Sequence, residues 1–155
     1  VLTGGQVIMG SGGMELKHYH TLDGLGIAMA HRAGLRVAII TARESEAVAL
    51  RAADLRIGDL VQGCLEKEQA YDDLLKKYGL RDEQVAYIGD DLVDLPAFRR
   101  AGLKVAVANA RSELKLTADY VTAAAGGGGA VREAIELLLG WRPEGEAGSG
   151  KEKET

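Results

Sequence analysis

The stretch Val85-Ala86-Tyr87-Ile88-Gly89-Asp90-Asp91-Leu92-Val93-Asp94 decides how this chain is read. Its first four residues form an apolar run, as expected of a strand buried on both faces of a parallel sheet. Gly89 breaks the run, and three carboxylates follow within five residues. Leu95 to Ala101 then reads as a short helix with Pro96 in its first turn, where proline is tolerated. Strand, acidic loop and helix make one βα unit.

The same alternation extends in both directions. Upstream, Val37-Ala38-Ile39-Ile40 is a second apolar run, followed by a helix over Glu44 to Leu55. The weak strand Leu60-Val61 precedes a helix over Glu66 to Tyr78 that Gly79 closes. Downstream, strands are expected at Leu103 to Ala108 and Asp119 to Thr122, and a last helix at Ala130 to Leu139. Near the start, Gln6 to Met9 and Met14 to His20 flank Gly10-Ser11-Gly12-Gly13 and read as a hairpin. Asp23-Gly24 ends the hairpin, and a short helix runs from Leu25 to a cap at Gly34. The fold class is therefore α/β: a Rossmann-like parallel sheet flanked by helices, with a small β-hairpin near the N-terminus.

Composition narrows the function. At 155 residues and 46% hydrophobic, the chain fits one domain with one sizeable core. From Arg142 onward apolar periodicity stops, so the domain is expected over 1–141 and a disordered tail over 142–155. A net charge of −4, no Lys/Arg cluster and only five Tyr, one Trp and one Phe argue against nucleic acid as a partner. No apolar run approaches the roughly 20 residues of a membrane span. Cys64 is the one cysteine, so no internal disulfide forms and a reducing cytoplasm is the expected location.

Ligands of parallel α/β sheets bind beyond the carboxyl ends of the strands, which here carry Thr41-Ala42-Arg43, Gly63 to Lys67, and Asp90 to Asp94. Each has a bland reading. Thr41 with Glu44 three residues on resembles a capping box; otherwise Thr41 is a hydroxyl donor to a phosphate oxygen. Lys67 stands at a helix start, where the dipole disfavours a cation unless an anion is near. Arg43 and Arg51 read alone as surface charges. One carboxylate suffices for a cap, whereas three repel each other unless a cation such as Mg²⁺ compensates. His18 and His20 read as exposed strand residues. The glycines from Gly126 to Gly129 read either as a connector or as the approach to a helix end that could meet an anion.

In order and spacing these residues resemble the haloacid dehalogenase superfamily, and within it the small cap-less sugar-phosphate phosphatases. The likeness is carried by Val1-Leu2-Thr3, Glu15-Leu16-Lys17, Asp23-Gly24-x-Gly26-Ile27, Ala38-Ile39-Ile40-Thr41-x-Arg43, Gln62-Gly63, Lys67 and Val85 to Asp94. It continues through Ala118 to Thr122 and Gly129 to Glu133, covering the chain to about Leu139. The resemblance implies an aspartyl-phosphate mechanism with Thr41 and Lys67 as catalytic residues. It places substrate on Thr41, Arg43, Arg51 and Lys67, and Mg²⁺ on Asp90, Asp91 and Asp94. The substrate it implies is a phosphorylated sugar acid, first among them 3-deoxy-D-manno-octulosonate 8-phosphate, and the assembly a homotetramer in which one subunit's hairpin covers the next subunit's site.

The nucleophile motif of these phosphatases, Asp-x-Asp-Gly, lies immediately before Val-Leu-Thr. The nucleophile is thus expected to precede Val1, and the sheet to show unpaired edges where the strand carrying it belongs. Gly4, Leu22, Ala42 and Gly128 depart from the family's usual Asp, Arg, Gly and Arg. The alternative is a catalytically silent phosphatase-like module with a structural or regulatory role; the residues upstream of Val1 discriminate the two.

Overall fold

The computed structural model describes residues 1–140; the tail expected over 142–155 lies outside the described residues. Strands β1 (Ile8–Met9) and β2 (Glu15–Leu16) pair antiparallel across a 3-10 turn at Ser11–Gly13, with Ile8 opposite Leu16. There follow α1 (Thr21–Arg32), β3 (Ala38–Ile40), α2 (Glu46–Asp54), β4 (Asp59–Val61), α3 (Lys67–Tyr78) and β5 (Ala86–Gly89). The chain continues through α4 (Leu95–Arg100), β6 (Leu103–Ala106), the short α5 (Ser112–Lys115), β7 (Tyr120–Val121) and α6 (Ala130–Leu138). All pairings outside the hairpin are parallel, as alternating βα units require.

The parallel strands form two pieces, β3–β4 and β5–β6–β7, and β3 is not hydrogen-bonded to β5. Each piece has its own core. Ile27, Ala30, Ala52, Ile57, Val131 and Ile135 form one; Phe98, Ala106, Val107, Ala110, Leu114 and Ala130 form the other. Val1 and Ile88 pack against both and so lie along the seam. This seam explains a departure from expectation. β3 reads in sequence as a strand buried on both faces, yet Ala38 is exposed and Ile39 and Ile40 are only half-buried, since β3 pairs on one side alone.

The helix after the hairpin begins earlier than its residues suggested. Asp23 and Gly24 are inside α1, not in a turn before it. His20 is the N-cap of α1, its Nδ1 accepting from the Leu22 N–H at 3.2 Å, rather than an exposed strand residue. Gly26 serves close packing: a Cβ there would lie 2.8 Å from Arg132 Cα on α6. Gly79, at φ +61, ends α3 in the left-handed conformation that favours glycine, as its position in sequence implied.

Asp23, 1% exposed, has a role that a turn residue would not have. Its carboxylate accepts from Gly129 N at 3.3 Å and Arg132 N at 3.1 Å, so it caps α6 from another helix. Two of the N–H groups at this helix start, those of Gly129 and Arg132, are therefore occupied from within. Asp23→Ala leaves the buried Gly129 N–H and the partly buried Arg132 N–H without this partner and is expected to destabilise the fold by about 2 kcal/mol. Urea denaturation measures this, and a change below about 0.5 kcal/mol would contradict the capping role.

Candidate active site

Three loops at the carboxyl ends of β3, β4 and β5 build the site. The first two are laced together by backbone bonds: Thr41 N donates to Val61 O at 2.9 Å, and Cys64 N donates to Thr41 O at 3.1 Å. This holds Thr41 beside the segment that enters α3. The capping-box reading of Thr41 does not survive, because α2 starts only at Glu46 with Ser45 as its N-cap. Thr41 Oγ1 instead accepts from Arg43 N at 3.3 Å, and its own O–H has no acceptor among the described residues.

Lys67 is the first residue of α3 and is only 9% exposed. A buried ammonium at a helix N-terminus is unfavourable on two counts, desolvation and dipole. Asp94, 2% exposed, offsets both: Lys67 Nζ donates to its Oδ1 at 2.6 Å. Tyr87 OH donates to the same oxygen at 3.0 Å, while Oδ2 accepts from Asp90 N at 3.0 Å and Asp91 N at 3.1 Å. Burial pushes the Asp94 carboxyl upward, but the Lys67 charge and these hydrogen bonds outweigh it and hold the group below the usual carboxylate range. Burial first, then the Asp94 charge, pushes the Tyr87 phenol far upward, so it stays protonated and donating.

The expected set of three carboxylate ligands therefore divides. Asp94 has both oxygens engaged by protein donors, Lys67 among them. Asp91 is exposed and caps the turn after β5, its Oδ1 accepting from Leu92 N at 2.7 Å. Asp90 faces the rim: its Oδ2 accepts from Val1 N at 2.9 Å, and Oδ1 has no partner among the described residues. Among the described residues no three His, Cys, Asp or Glu side chains gather as a metal-holding group.

Neither arginine reaches this centre. The guanidinium of Arg43 is 57% exposed and lies 3.8 Å from Glu15 Oε2, which belongs to the hairpin. Arg51 pairs with Asp54 at 2.6 Å and lies over the Tyr19 ring at 5.5 Å, at the hairpin's base. The sequence reading missed the partnership of Tyr87 with Asp94; the signal available was a tyrosine two residues before Gly89 in an otherwise aliphatic run.

With this geometry in view, the comparison with known proteins is direct. The haloacid dehalogenase-like hydrolase family matches residues 38–135, which include Thr41, Lys67, Asp90 and Asp94. The chain belongs to that family. It is 49% identical over 139 residues to the 3-deoxy-D-manno-octulosonate 8-phosphate phosphatase KdsC of Escherichia coli K12, covering 90% of this chain and 74% of the relative. The Haemophilus influenzae KdsC is 45% identical over 139 residues, covering 90% and 77%. Among solved structures, the Moraxella catarrhalis phosphatase of the same name, in complex with magnesium, phosphate and KDO, superimposes with a TM-score of 0.88 at 42% identity, covering 92% of this chain and 82% of that one. A cobalt-bound Haemophilus influenzae relative gives 0.87 at 45%, covering 91% and 82%.

The Lys67–Asp94 pair gives this family member a testable acid sensitivity. Folding lowers the Asp94 pKa, so its contribution is complete above the ordinary aspartate value near ~3.9 and is lost as pH falls through the depressed folded value. Asp94→Ala strands a buried ammonium and is expected to cost about 3–5 kcal/mol at neutral pH. Adding Lys67→Met to Asp94→Ala should recover much of that loss. Thermal melts of the four proteins check the coupling, and purely additive effects would contradict it.

Proposed function

We propose that this hydrolase cleaves the phosphate monoester of a sugar acid, 3-deoxy-D-manno-octulosonate 8-phosphate, with magnesium as cofactor and through an aspartyl-phosphate. The observation that carries the reading is the buried Lys67 ammonium. Asp94 is its only hydrogen-bond partner among the described residues, so two of its three N–H bonds are available to an anion. The hydroxyl of Thr41, whose O–H has no acceptor among the described residues, and the partly exposed carboxylate of Asp90 lie on the same rim. A phosphoryl group carries the charge that this set of donors complements. The relatives named KdsC supply the choice of sugar.

Asp90 fits magnesium, a hard ion that takes one or two carboxylates and completes its shell with waters and substrate phosphate. Its carboxylate is about one-third exposed at the rim, and its Oδ1 has no hydrogen-bond partner among the described residues. Magnesium held there would neutralise charge on the phosphoryl oxygens. Lys67 and Thr41 bind and orient the phosphoryl group; Asp94 holds Lys67 in place. Asp91 shapes the loop. We assign Arg43 to the sugar side of the rim and Arg51 to bracing the hairpin.

The described carboxylates leave the nucleophile to another residue, since Asp94 is fully engaged and Asp90 is the metal's ligand. The reading gives that role to an aspartate upstream of Val1, on a strand lying between the unpaired edges of β3 and β5. Its carboxylate attacks phosphorus as the ester P–O bond breaks, and the leaving oxygen takes a proton from the second aspartate of the Asp-x-Asp pair to depart as the sugar alcohol. Water, giving a proton back to that aspartate, then cleaves the acyl phosphate and releases inorganic phosphate. The catalytic domain in this reading ends at residue 141. No helix among the described residues is long and apolar enough to cross a membrane, and the reading places the enzyme in the cytoplasm.

Phosphate release from 3-deoxy-D-manno-octulosonate 8-phosphate by the full gene product should require magnesium. Lys67→Met should lower it by about a hundredfold or more, and Asp90→Asn should raise the magnesium concentration needed. A full gene product inactive with magnesium, or a Lys67→Met variant as active as wild type, overturns the reading.

The assembly we propose is a homotetramer closed by the hairpin. Ile8, Met9, Met14 and Leu16 are exposed on strands too short to be stable alone. Leu65, Leu92 and Val93 form a complementary apolar margin at the rim, also exposed in the single chain. Light scattering should give four subunits for the wild type and fewer for Ile8→Lys with Leu16→Lys. An unchanged mass for that variant, or a monomeric wild type, contradicts the arrangement.

A further inference from the structure

Asp94 Oδ1 is shared between two donors, and the second of them has no part in the chemistry described above. Tyr87 lies on β5, where its backbone is fixed in register opposite Lys104 of β6. Its ring is held on two sides: Phe98 packs edge-on at 6.0 Å between centroids and 83°, and Tyr71 lies at 6.2 Å and 53°. A phenol confined in this way delivers its O–H to one point, 3.0 Å from Asp94 Oδ1. Packing alone would be served as well by phenylalanine, the residue already used at position 98.

We propose that Tyr87 is a positioning residue for Lys67, acting through Asp94. A carboxylate oxygen offers two lone-pair directions. With the Tyr87 hydroxyl on one and Lys67 on the other, and with the main-chain N–H groups of Asp90 and Asp91 on Oδ2, the carboxylate cannot rotate. The ammonium then has a single site, and its two remaining N–H bonds keep a fixed aim. Without the hydroxyl, Oδ1 accepts from Lys67 along a broad arc, and the ammonium settles more deeply onto the carboxylate. A charge displaced by a fraction of an ångström still binds a phosphate ester but stabilises the transferring phosphoryl group less well, so the loss falls on turnover rather than on binding.

This inference rests on the phosphatase reading, and its test separates the two. In the full gene product, Tyr87→Phe is expected to lower kcat about tenfold, with KM within about twofold and a melting temperature close to wild type. Tyr71→Phe removes a hydroxyl from the same aromatic column without touching Asp94, and should leave kcat unchanged. A purely structural role for Tyr87 would lower the melting temperature without splitting kcat from KM. Wild-type kcat in Tyr87→Phe, or an equal loss in Tyr71→Phe, overturns the proposal while the phosphatase reading stands. Wild-type activity in Lys67→Met instead overturns the reading itself.

Discussion

A lysine ammonium buried at the start of a helix is tolerated only if a carboxylate goes into the interior with it, and much of this structure follows from how that carboxylate is held. Asp94 receives four donors: one ammonium, one phenol and two main-chain N–H groups. Such a group is costly to desolvate and becomes favourable only when fully satisfied. Satisfying it fixes the turn after β5, the depth at which α3 begins and the orientation of Tyr87. The rim residues Asp90 and Asp91 owe their directions to the same oxygen, because their N–H groups point inward to Asp94 and leave their side chains facing outward.

The ion pair also spans the molecule. Lys67 opens the helix that follows β4, and Asp94 ends the turn that follows β5. Among the described residues no strand pairing joins β3–β4 to β5–β6–β7, so side chains and helices connect these pieces. Val1 and Ile88 touch both cores. On the other side, Asp23 of α1 caps α6, and Gly26 lets the two helices approach closely. The candidate site thus sits over a seam, and the geometry of its charges depends on how the pieces are held together. Hairpin residues add a third attachment, with Tyr19 OH donating to Ala47 O at 3.2 Å on α2.

Particular residues show how far reading the chain could go. Apolar runs at Val37 to Ile40 and Val85 to Ile88 are strands because continuous β-branched and aliphatic residues have few alternatives between turn signals. Helical spacing and Gly79 located α3 almost to the residue. Asp23-Gly24 misled because that dipeptide has a strong turn preference, and only a partner helix arriving at Arg132 makes a buried helical aspartate favourable. Thr41 with Glu44 matched a local cap that the chain does not use, since Thr41 stays bonded through its backbone to the β4 segment and α2 starts only at Glu46. Short elements such as α5, with four residues, carry too little periodicity to be seen.

The order of chemistry-bearing residues was determined by the sequence itself: a hydroxyl after one strand, a lysine at the start of the helix after the next, and an acidic triplet after a third strand. Those positions follow from local patterns of a few residues, and local patterns survive in a linear text. How the acidic triplet divides its work was decided only by the tertiary structure. Three aspartates in five residues are chemically alike until the fold buries one against a lysine, points one at solvent and leaves one at the rim. Burial and long-range pairing set which carboxylate is engaged and which is free, and both belong to the folded chain.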